Sequence, residues 1–189
     1  MSIIIVEGLE RCGKTTTVNY LRSVIHNPRL IVHHSAKPPK GLTRQESQTW
    51  SAIHYTEVMR TFSRLSENGW DIIMDRAHIG EYVYGHMYRR LDKNDRYIFE
   101  TEHFINISDT YLVLLTDSPS NVMSREDGQS LSTNIDAITT ERERFIEGVG
   151  ISRILNKLHL DWTNDFDDVS FEEKQKTYFK KLNNFLEIF

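Results

Sequence analysis

Several residue types are scarce in this 189-residue sequence, which has one cysteine, four prolines and nine glycines. Its aliphatic runs are also short and reach only four residues, as at Ile3–Val6. A single cysteine, Cys12, excludes an internal disulfide framework and an all-cysteine metal cluster. A run of four residues is far short of the ~20 that a membrane-spanning helix needs, and no basic, apolar and small-residue series marks a cleaved signal. These absences predict a soluble cytoplasmic protein without membrane contact.

An excess of positive charge is missing as well. The 23 Lys and Arg residues are outnumbered by 27 Asp and Glu residues, for a formal net charge of -4, which argues against a protein that coats nucleic acid in general. Contact with a polyanion would have to be local. With 39% hydrophobic residues and no repeat or Pro/Gly-rich linker, the chain is expected to form a single domain over residues 1–189.

Short apolar runs alternate with helical periodicity along the chain. Strands are predicted at 2–7, 29–34, 70–74, 111–115 and 157–162. Helices are predicted at 14–26, 45–68, 138–149 and 170–187, with further helical material up to residue 106 that is interrupted near Asp92 to Asp95. The 45–68 helix is expected to direct toward the core Trp50, Ile53, Val58, Phe62 and Leu65. This alternation favours parallel strands joined by right-handed crossovers, in an open α/β sheet covered by helices on both faces.

A phosphate-binding pattern follows the first predicted strand. Residues 8–15, GLERCGKT, match GxxxxGK[ST] and lie between a strand and a helix. The glycines Gly8 and Gly13 let successive backbone N–H groups face phosphate oxygens, which the positive end of the following helix also attracts. The Lys14 ammonium is expected to bridge the β- and γ-phosphates and the Thr15 hydroxyl to ligate Mg²⁺. The predicted ATP-binding set also includes Thr16 and Cys12, for whose thiol a structural role is favoured over a reactive one.

A nucleotide-binding loop does not by itself distinguish a kinase from a GTPase. The sequence contains no DxxG, and the nearest approach to [NT]KxD, at residues 92–95, has the wrong first residue and does not end a predicted strand. The G-protein hypothesis is therefore disfavoured.

An acidic and a basic residue end the third predicted strand. The carboxylate of Asp75 is suited to hold Mg²⁺-bound water or to accept a proton, and the guanidinium of Arg76 is suited to grip a phosphate with two hydrogen bonds. The alternative is a helix-capping aspartate beside a surface arginine.

Three segments together resemble the thymidylate-kinase group of P-loop kinases: VEGLERCGKTT, GWDIIMDRAHIGEYVYG and YLVLLTDSPSNVMSRE. The resemblance extends from residue 3 to about 148. It implies a three-layer P-loop kinase fold with a central parallel sheet of about five strands, ATP and Mg²⁺ as cofactors, a lid at about 124–133 and a homodimer.

The resemblance also implies roles for individual residues. Glu10 would serve the sugar hydroxyl, Arg11 the transferring phosphate, Asp75 the metal and Arg76 the acceptor phosphate. Arg125 would close over ATP from the lid, and a charged helix would follow it with Glu141, Arg142 and Arg144. For Arg125 and Arg142, a place on an exposed helix face is the alternative.

The acceptor side departs from the family pattern. Where the family has an arginine-containing clamp, this chain has residues 35–40, SAKPPK, in which Lys37 is a point charge rather than a guanidinium fork. At the position where the family recognises thymine with an arginine, a rough alignment places His54 of this chain. Local basic residues are Lys37, Lys40, Arg44, Arg89 and Arg90, and the aromatic side chains that could stack a base, with core packing as the alternative, are Trp50, Tyr55, Tyr82 and Tyr84.

The preferred hypothesis is an ATP-dependent kinase that transfers the γ-phosphoryl group to a deoxypyrimidine nucleotide such as dTMP. The phosphate of such an acceptor is already anionic, so the enzyme needs residues that hold it in place and no strong base. A hydroxyl acceptor reacts faster when a carboxylate accepts its proton, and Asp75 and Glu7 are the candidates for that base. The run DRAHIGEYVYG also resembles bacteriophage kinases, some of which are thought to phosphorylate 5-hydroxymethyluracil in DNA. Modified DNA is accordingly the alternative acceptor, with the host cytoplasm as location, and a non-catalytic nucleotide-binding regulator is the third hypothesis.

Overall fold

The computed structural model describes residues 2–89, 91, 95–128, 130–163 and 170–187. The strands are β1 (Ile3–Gly8), β2 (Leu30–His34), β3 (Asp71–Asp75), β4 (Thr110–Thr116) and β5 (Asn156–Asp161). The helices are α1 (Lys14–Val24), α2 (Arg44–Glu67), α3 (His78–Arg89), α4 (Asp95–Glu102), α5 (Pro119–Ser124), α6 (Ile135–Ile151) and α7 (Phe171–Leu186). The predicted elements are all present, with most ends within three residues of the prediction, and the helical material predicted up to residue 106 ends at Glu102. The helical material was predicted to be interrupted near Asp92 to Asp95, and residues 92–94 of this segment lie outside the described residues.

All five strands are parallel and form one sheet in the order β2-β3-β1-β4-β5. Strand β1 lies at the centre, and its residues Ile3 to Val6 are at most 2% exposed, as expected for a strand flanked on both sides and covered on both faces. The predicted α/β fold with a central parallel sheet of five strands is confirmed.

The helices form two groups around the sheet. Helices α2, α3, α4 and α6 contact one another. Helices α1 and α7 meet through the stacked rings of Tyr20 and Phe179, with centroids 3.8 Å apart, and through a 2.9 Å hydrogen bond from the Tyr20 hydroxyl to Asn183. Among the described residues, no helix combines the length and apolar character needed to cross a bilayer.

The rotation of α2 differs from the prediction. Ile53 was expected to face the core and is instead 61% exposed, while the buried positions are Ser47, Ser51, Tyr55, Met59 and Phe62. On this inward face, the Ser51 hydroxyl donates a 2.5 Å hydrogen bond to the buried carboxylate of Glu81 on α3. A serine on the buried face is hidden from a prediction based on apolar periodicity.

Gly8 is required where β1 passes into the phosphate loop. Its φ is +137°, and a Cβ at this position would lie 2.0 Å from the carbonyl oxygen of Leu115 on the neighbouring strand β4. The chain must therefore leave the sheet at a residue without a side chain.

Gly8→Ala should lower the free energy of unfolding by about 3 kcal/mol, because it combines an unfavourable φ with a backbone clash. Gly150→Ala is the matched control, since a Cβ there meets nothing within 4 Å and alanine in a helix is favoured over glycine by about 0.5–1 kcal/mol. Denaturant unfolding measures both variants. Equal stabilities of the two would contradict the close approach at Gly8.

Candidate active site

The phosphate loop connects β1 to α1 at the carboxyl edge of the sheet. Gly13 precedes α1 with a φ of +84° and accepts the first helical hydrogen bond from the Thr17 N–H at 2.9 Å. Arg11 also has a positive φ, of 62°. Two left-handed residues in so short a segment curl its backbone around a concave surface of N–H groups, the geometry that binds phosphates.

Lys14 lies under this loop and is 8% exposed. Its ammonium donates a 3.0 Å hydrogen bond to the carbonyl oxygen of Gly8 and another to that of Leu9. Burial, followed by the positive charge of Arg76, lowers the pKa of Lys14 to about 8. A triphosphate in the loop would offset both effects, because it brings negative charge to a cation that has few carboxylate neighbours.

Asp75 and Thr15 line one cavity of about 340 Å³, here named the transfer cavity. Arg11, Lys14 and Arg76 also line it. The structure therefore brings together the residues predicted for the transferring phosphate and the metal. The Asp75 carboxylate forms a 3.0 Å contact with Nδ1 of His34, which ends the neighbouring strand β2. His34 was missed by the sequence analysis, although its position at a strand end is a usable signal.

The hydroxyl of Thr15 and the carboxylate of Asp75 are hard oxygen ligands that suit Mg²⁺. Among the described residues, no three His, Cys, Asp or Glu side chains converge as a metal site. These two side chains therefore fit an ion that is held mainly by nucleotide phosphates and water.

Arg76 is held in one orientation by three contacts with two neighbouring residues. Its φ is +67°, its guanidinium lies 5.0 Å above the Tyr84 ring and donates a 2.9 Å hydrogen bond to the Tyr84 hydroxyl, and Glu10 is 3.7 Å away. Burial acts to lower the pKa of Arg76, but Tyr84, Glu7 and Glu10 outweigh it, so that the pKa is raised. The guanidinium is a fixed positive charge at the edge of the transfer cavity.

The predicted lid, residues 124–133, contacts the phosphate loop. Arg11 forms a 2.6 Å ion pair with Glu126, and the Leu131 N–H donates to Glu10 at 3.1 Å. Gln129 lies outside the described residues. The two loop residues that the resemblance links to sugar and phosphate are thus both held by the lid.

Arg125 lines a second cavity, of about 490 Å³, together with Cys12, Thr16 and Trp162. Its guanidinium donates to Asp117 and, through Nε at 2.9 Å, to the carbonyl oxygen of Asn121. The Trp162 indole donates to the Cys12 carbonyl oxygen at 3.3 Å, and Trp162 was also missed by the sequence analysis. Burial raises the pKa of the Cys12 thiol to about 12, which agrees with a structural role for this side chain.

A third cavity, of about 100 Å³, is here named the acceptor cavity. It adjoins the transfer cavity and shares Glu10 and Arg76 with it. Lys37 and Tyr84 line it as well, so these predicted acceptor residues lie together. At its other end, Glu81 forms an ion pair with Arg89 and accepts the hydrogen bond from Ser51. Burial raises the pKa of Glu81, although Arg89 and Ser51 oppose this. Its sequence signal is an acidic residue on an otherwise apolar stretch of α3.

Two predicted residues lie elsewhere. The ring of His54 stacks on Trp50, with centroids 4.5 Å apart, and the neighbouring Tyr55 is the residue of α2 that lines the acceptor cavity.

Glu7, a candidate base, is 0% exposed and accepts hydrogen bonds from the N–H groups of Ala77 and Gly80 at 2.8 and 2.9 Å. Its role in the fold is to anchor the start of α3. Lys40 and Arg44 are exposed, and Arg90 lies outside the described residues.

Solved structures with this fold include nucleotide and nucleoside kinases and a nucleotide-binding protein. The YorR protein of Bacillus subtilis, in complex with phosphorylated GDP, is 17% identical over 97% of both chains with a TM-score of 0.63. The thymidylate kinase of Ehrlichia chaffeensis is 12% identical over 96% of this chain and 98% of its own, with a TM-score of 0.65. The deoxyadenosine kinase of M. mycoides, with dCMP and dCDP bound, is 13% identical over 96% of this chain and 99% of its own, with a TM-score of 0.55.

At these identities the likeness shows a common fold and assigns no residue a role. No protein-family model and no curated protein matches this sequence.

Lys14 should make the affinity for ATP depend on pH. Because its pKa is about 8 in the free protein, the cation that a triphosphate needs is present below this pH and is lost above it. The Kd for ATP, measured by calorimetry, should be constant below pH 8 and rise above it by up to about tenfold per pH unit. Lys14→Met should bind ATP weakly at every pH and lose this dependence. A wild-type Kd that stays flat up to about pH 9.5 would contradict the assignment.

Proposed function

We propose that the protein is an ATP-dependent kinase that transfers the γ-phosphoryl group to a deoxypyrimidine nucleotide. The observation that carries the proposal is the junction of two cavities at Arg76. One contains the phosphate loop with Lys14 and Thr15, and the other ends at the Glu81–Arg89 pair. A donor phosphate and an acceptor would thus meet beside one guanidinium.

The donor side uses the phosphate loop and the cavity of Arg125. The loop N–H groups and Lys14 hold the β- and γ-phosphates, and the base lies toward Trp162 and Arg125, whose planar groups are suited to stack on it. The ion pair with Glu126 holds Arg11 at the edge of the phosphate loop, where its guanidinium would contact the transferring group.

Transfer of the phosphoryl group depends on positioning and on charge stabilisation. Thr15 and Asp75 would hold Mg²⁺ with the nucleotide, and the ion when bound neutralises charge on the phosphates. Lys14, Arg11 and Arg76 contribute three cations that face one cavity. Residues 126, 131 and 132 of the lid contact the loop, and with both substrates bound we expect them to help exclude water from that space and so to limit hydrolysis of ATP.

The acceptor side is divided by charge. An acceptor phosphate fits the end with Arg76 and Lys37, and the base fits the end with Tyr55, Glu81 and Arg89. A carboxylate beside a guanidinium is complementary to the edge of a base that carries an N–H group next to an acceptor atom.

A second candidate acceptor is a hydroxyl group, such as that of a hydroxymethylated base in DNA. It is favoured by one observation, the hydrogen bond between His34 and Asp75. A carboxylate beside the transferring phosphate, with an imidazole partner, is suited to accept the proton that a hydroxyl acceptor must lose.

Incubation with γ-labelled ATP distinguishes these acceptors. The panel is the four deoxynucleoside monophosphates, unmodified DNA and DNA containing 5-hydroxymethyluracil, with Lys14→Ala as the inactive control. We expect label on dTMP or dCMP. Label only on the modified DNA would establish the second candidate, and label on no acceptor would reject the kinase proposal.

Replacement of Glu81 should affect the acceptor more than ATP. Glu81→Gln removes the charge that pairs with Arg89 and one acceptor for the base edge, so the KM for the preferred acceptor should rise by about tenfold, as loss of a hydrogen bond to a charged group implies. The KM for ATP should change by less than about twofold. Glu57→Gln, on an exposed carboxylate of α2, is the matched control. Parallel increases in both KM values would contradict a role in acceptor selection.

A further inference from the structure

A chain of hydrogen bonds runs from Arg76 to the end of the lid through four residues, the Glu141 relay. Arg76 donates to the Tyr84 hydroxyl at 2.9 Å, Tyr84 donates to Oε1 of Glu141 at 2.6 Å, and Ser132 donates to Oε2 of Glu141 at 2.5 Å. Glu141 is on α6, Tyr84 is on α3 and Ser132 follows α5 in the lid. The relay therefore connects three separate parts of the chain.

The direction of the relay is determined by its chemistry. A guanidinium only donates and a carboxylate only accepts, so the Tyr84 hydroxyl must accept from Arg76 and donate to Glu141. Burial raises the pKa of Tyr84 well above its usual value, which keeps its proton in place. Tyr84, Ser132 and Glu141 are 7%, 3% and 2% exposed, and hydrogen bonds in such a setting are strengthened by the low local dielectric.

Glu141 does not touch the cavities that hold ATP or the acceptor. The residues that line the acceptor and transfer cavities include Tyr84, Arg76, Ser130 and Leu131, but neither Glu141 nor Ser132. A carboxylate buried away from both cavities must act on the reaction through its neighbours. Its two oxygens serve two different neighbours, one toward the acceptor arginine and one toward the lid.

We propose that Glu141 is a positioning residue that couples docking of the lid to the orientation of Arg76. When the Ser132 hydroxyl donates its hydrogen bond to Oε2, the Glu141 carboxylate is held so that Oε1 accepts the hydrogen bond from the Tyr84 hydroxyl. Tyr84 in turn accepts a hydrogen bond from Arg76 and holds its guanidinium over the acceptor cavity. Loss of the lid contact frees Glu141 and, through Tyr84, loosens Arg76. The inference rests on the proposed role of Arg76 in acceptor binding.

Tyr88 offers a competing route. Its hydroxyl contacts the Ser132 hydroxyl, and its ring lies near that of Tyr84, with centroids 6.0 Å apart. Coupling by this route would bypass Glu141. Tyr88→Phe removes the contact with Ser132 and leaves Glu141 intact, so it separates the two routes.

Steady-state kinetics of Ser132→Ala test the coupling without a change inside a cavity. The KM for the acceptor should rise about fivefold to tenfold, the effect of one lost hydrogen bond to a charged group, and the KM for ATP should change by less than about twofold. Tyr88→Phe should leave both KM values within about twofold of the wild type. An unchanged acceptor KM in Ser132→Ala, or the same increase in Tyr88→Phe, would overturn the proposal.

A double-mutant cycle locates the coupling. In Tyr84→Phe the relay is already broken, so the further change Ser132→Ala should leave the acceptor KM unchanged within about twofold. If Ser132→Ala has the same multiplicative effect in both backgrounds, the two residues are independent and the relay does not exist.

Amide hydrogen exchange provides a readout that requires no acceptor. The Leu131 N–H, adjacent to Ser132, donates to Glu10, and in Tyr84→Phe it should exchange at least about threefold faster than in the wild type as the lid contact weakens. Tyr82→Phe, which loses only a 3.1 Å hydrogen bond to Asp95, is the control and should be unchanged. Equal exchange in Tyr84→Phe and the wild type would overturn the coupling, whichever acceptor the kinase assay identifies.

Discussion

The two motifs of the active site are joined by the carboxylate of Glu7. This residue directly precedes the phosphate loop at the end of β1, and its Oε1 accepts the N–H groups of Ala77 and Gly80 at the start of α3. Ala77 follows Arg76, so this side chain adds to the β1–β3 pairing, in which the Arg76 N–H donates to the Val6 carbonyl oxygen at 2.9 Å, in positioning the Asp75–Arg76 pair relative to the loop. Burial raises the pKa of Glu7, while the N–H of Gly80 and the charge of Arg76 act to lower it. A Cβ at Gly80 would approach the second carboxylate oxygen at 3.0 Å, so glycine leaves the room this contact needs.

Each of three arginines in the site has a carboxylate partner, which for Arg89 lies on the same helix, α3. Arg11 faces Glu126, Arg76 faces Glu10, and Arg89 faces Glu81. These pairs restrain the positions of the three guanidinium groups. At Lys14, burial and the charge of Arg76 lower the pKa, although Cys12, Asp75 and Glu10 oppose this.

Sequence patterns located the residues of the phosphate-loop cavity more fully than those of the cavity that Lys37 and Glu81 line. The phosphate loop is continuous in sequence, so its residues and their spacing are visible in one short motif. The acceptor cavity is lined by residues 35–37 after β2, by residues 76–77, by residues of α2 and α3, and by Glu10 and Leu131, so its composition depends on how these parts pack together. Tyr55 of α2 lines the cavity while Ile53 is exposed, and the rough alignment selected the neighbouring residue His54.

By itself, the sequence determined the alternation of strands and helices, the phosphate loop after β1 and the Asp75–Arg76 pair at the end of β3, because each depends on residues that are neighbours along the chain. Only the tertiary structure decided the strand order and the partners of the charged groups. Contacts such as His34 with Asp75, or Tyr84 with Glu141, join elements whose relative placement follows from packing, and a linear pattern carries no record of that placement.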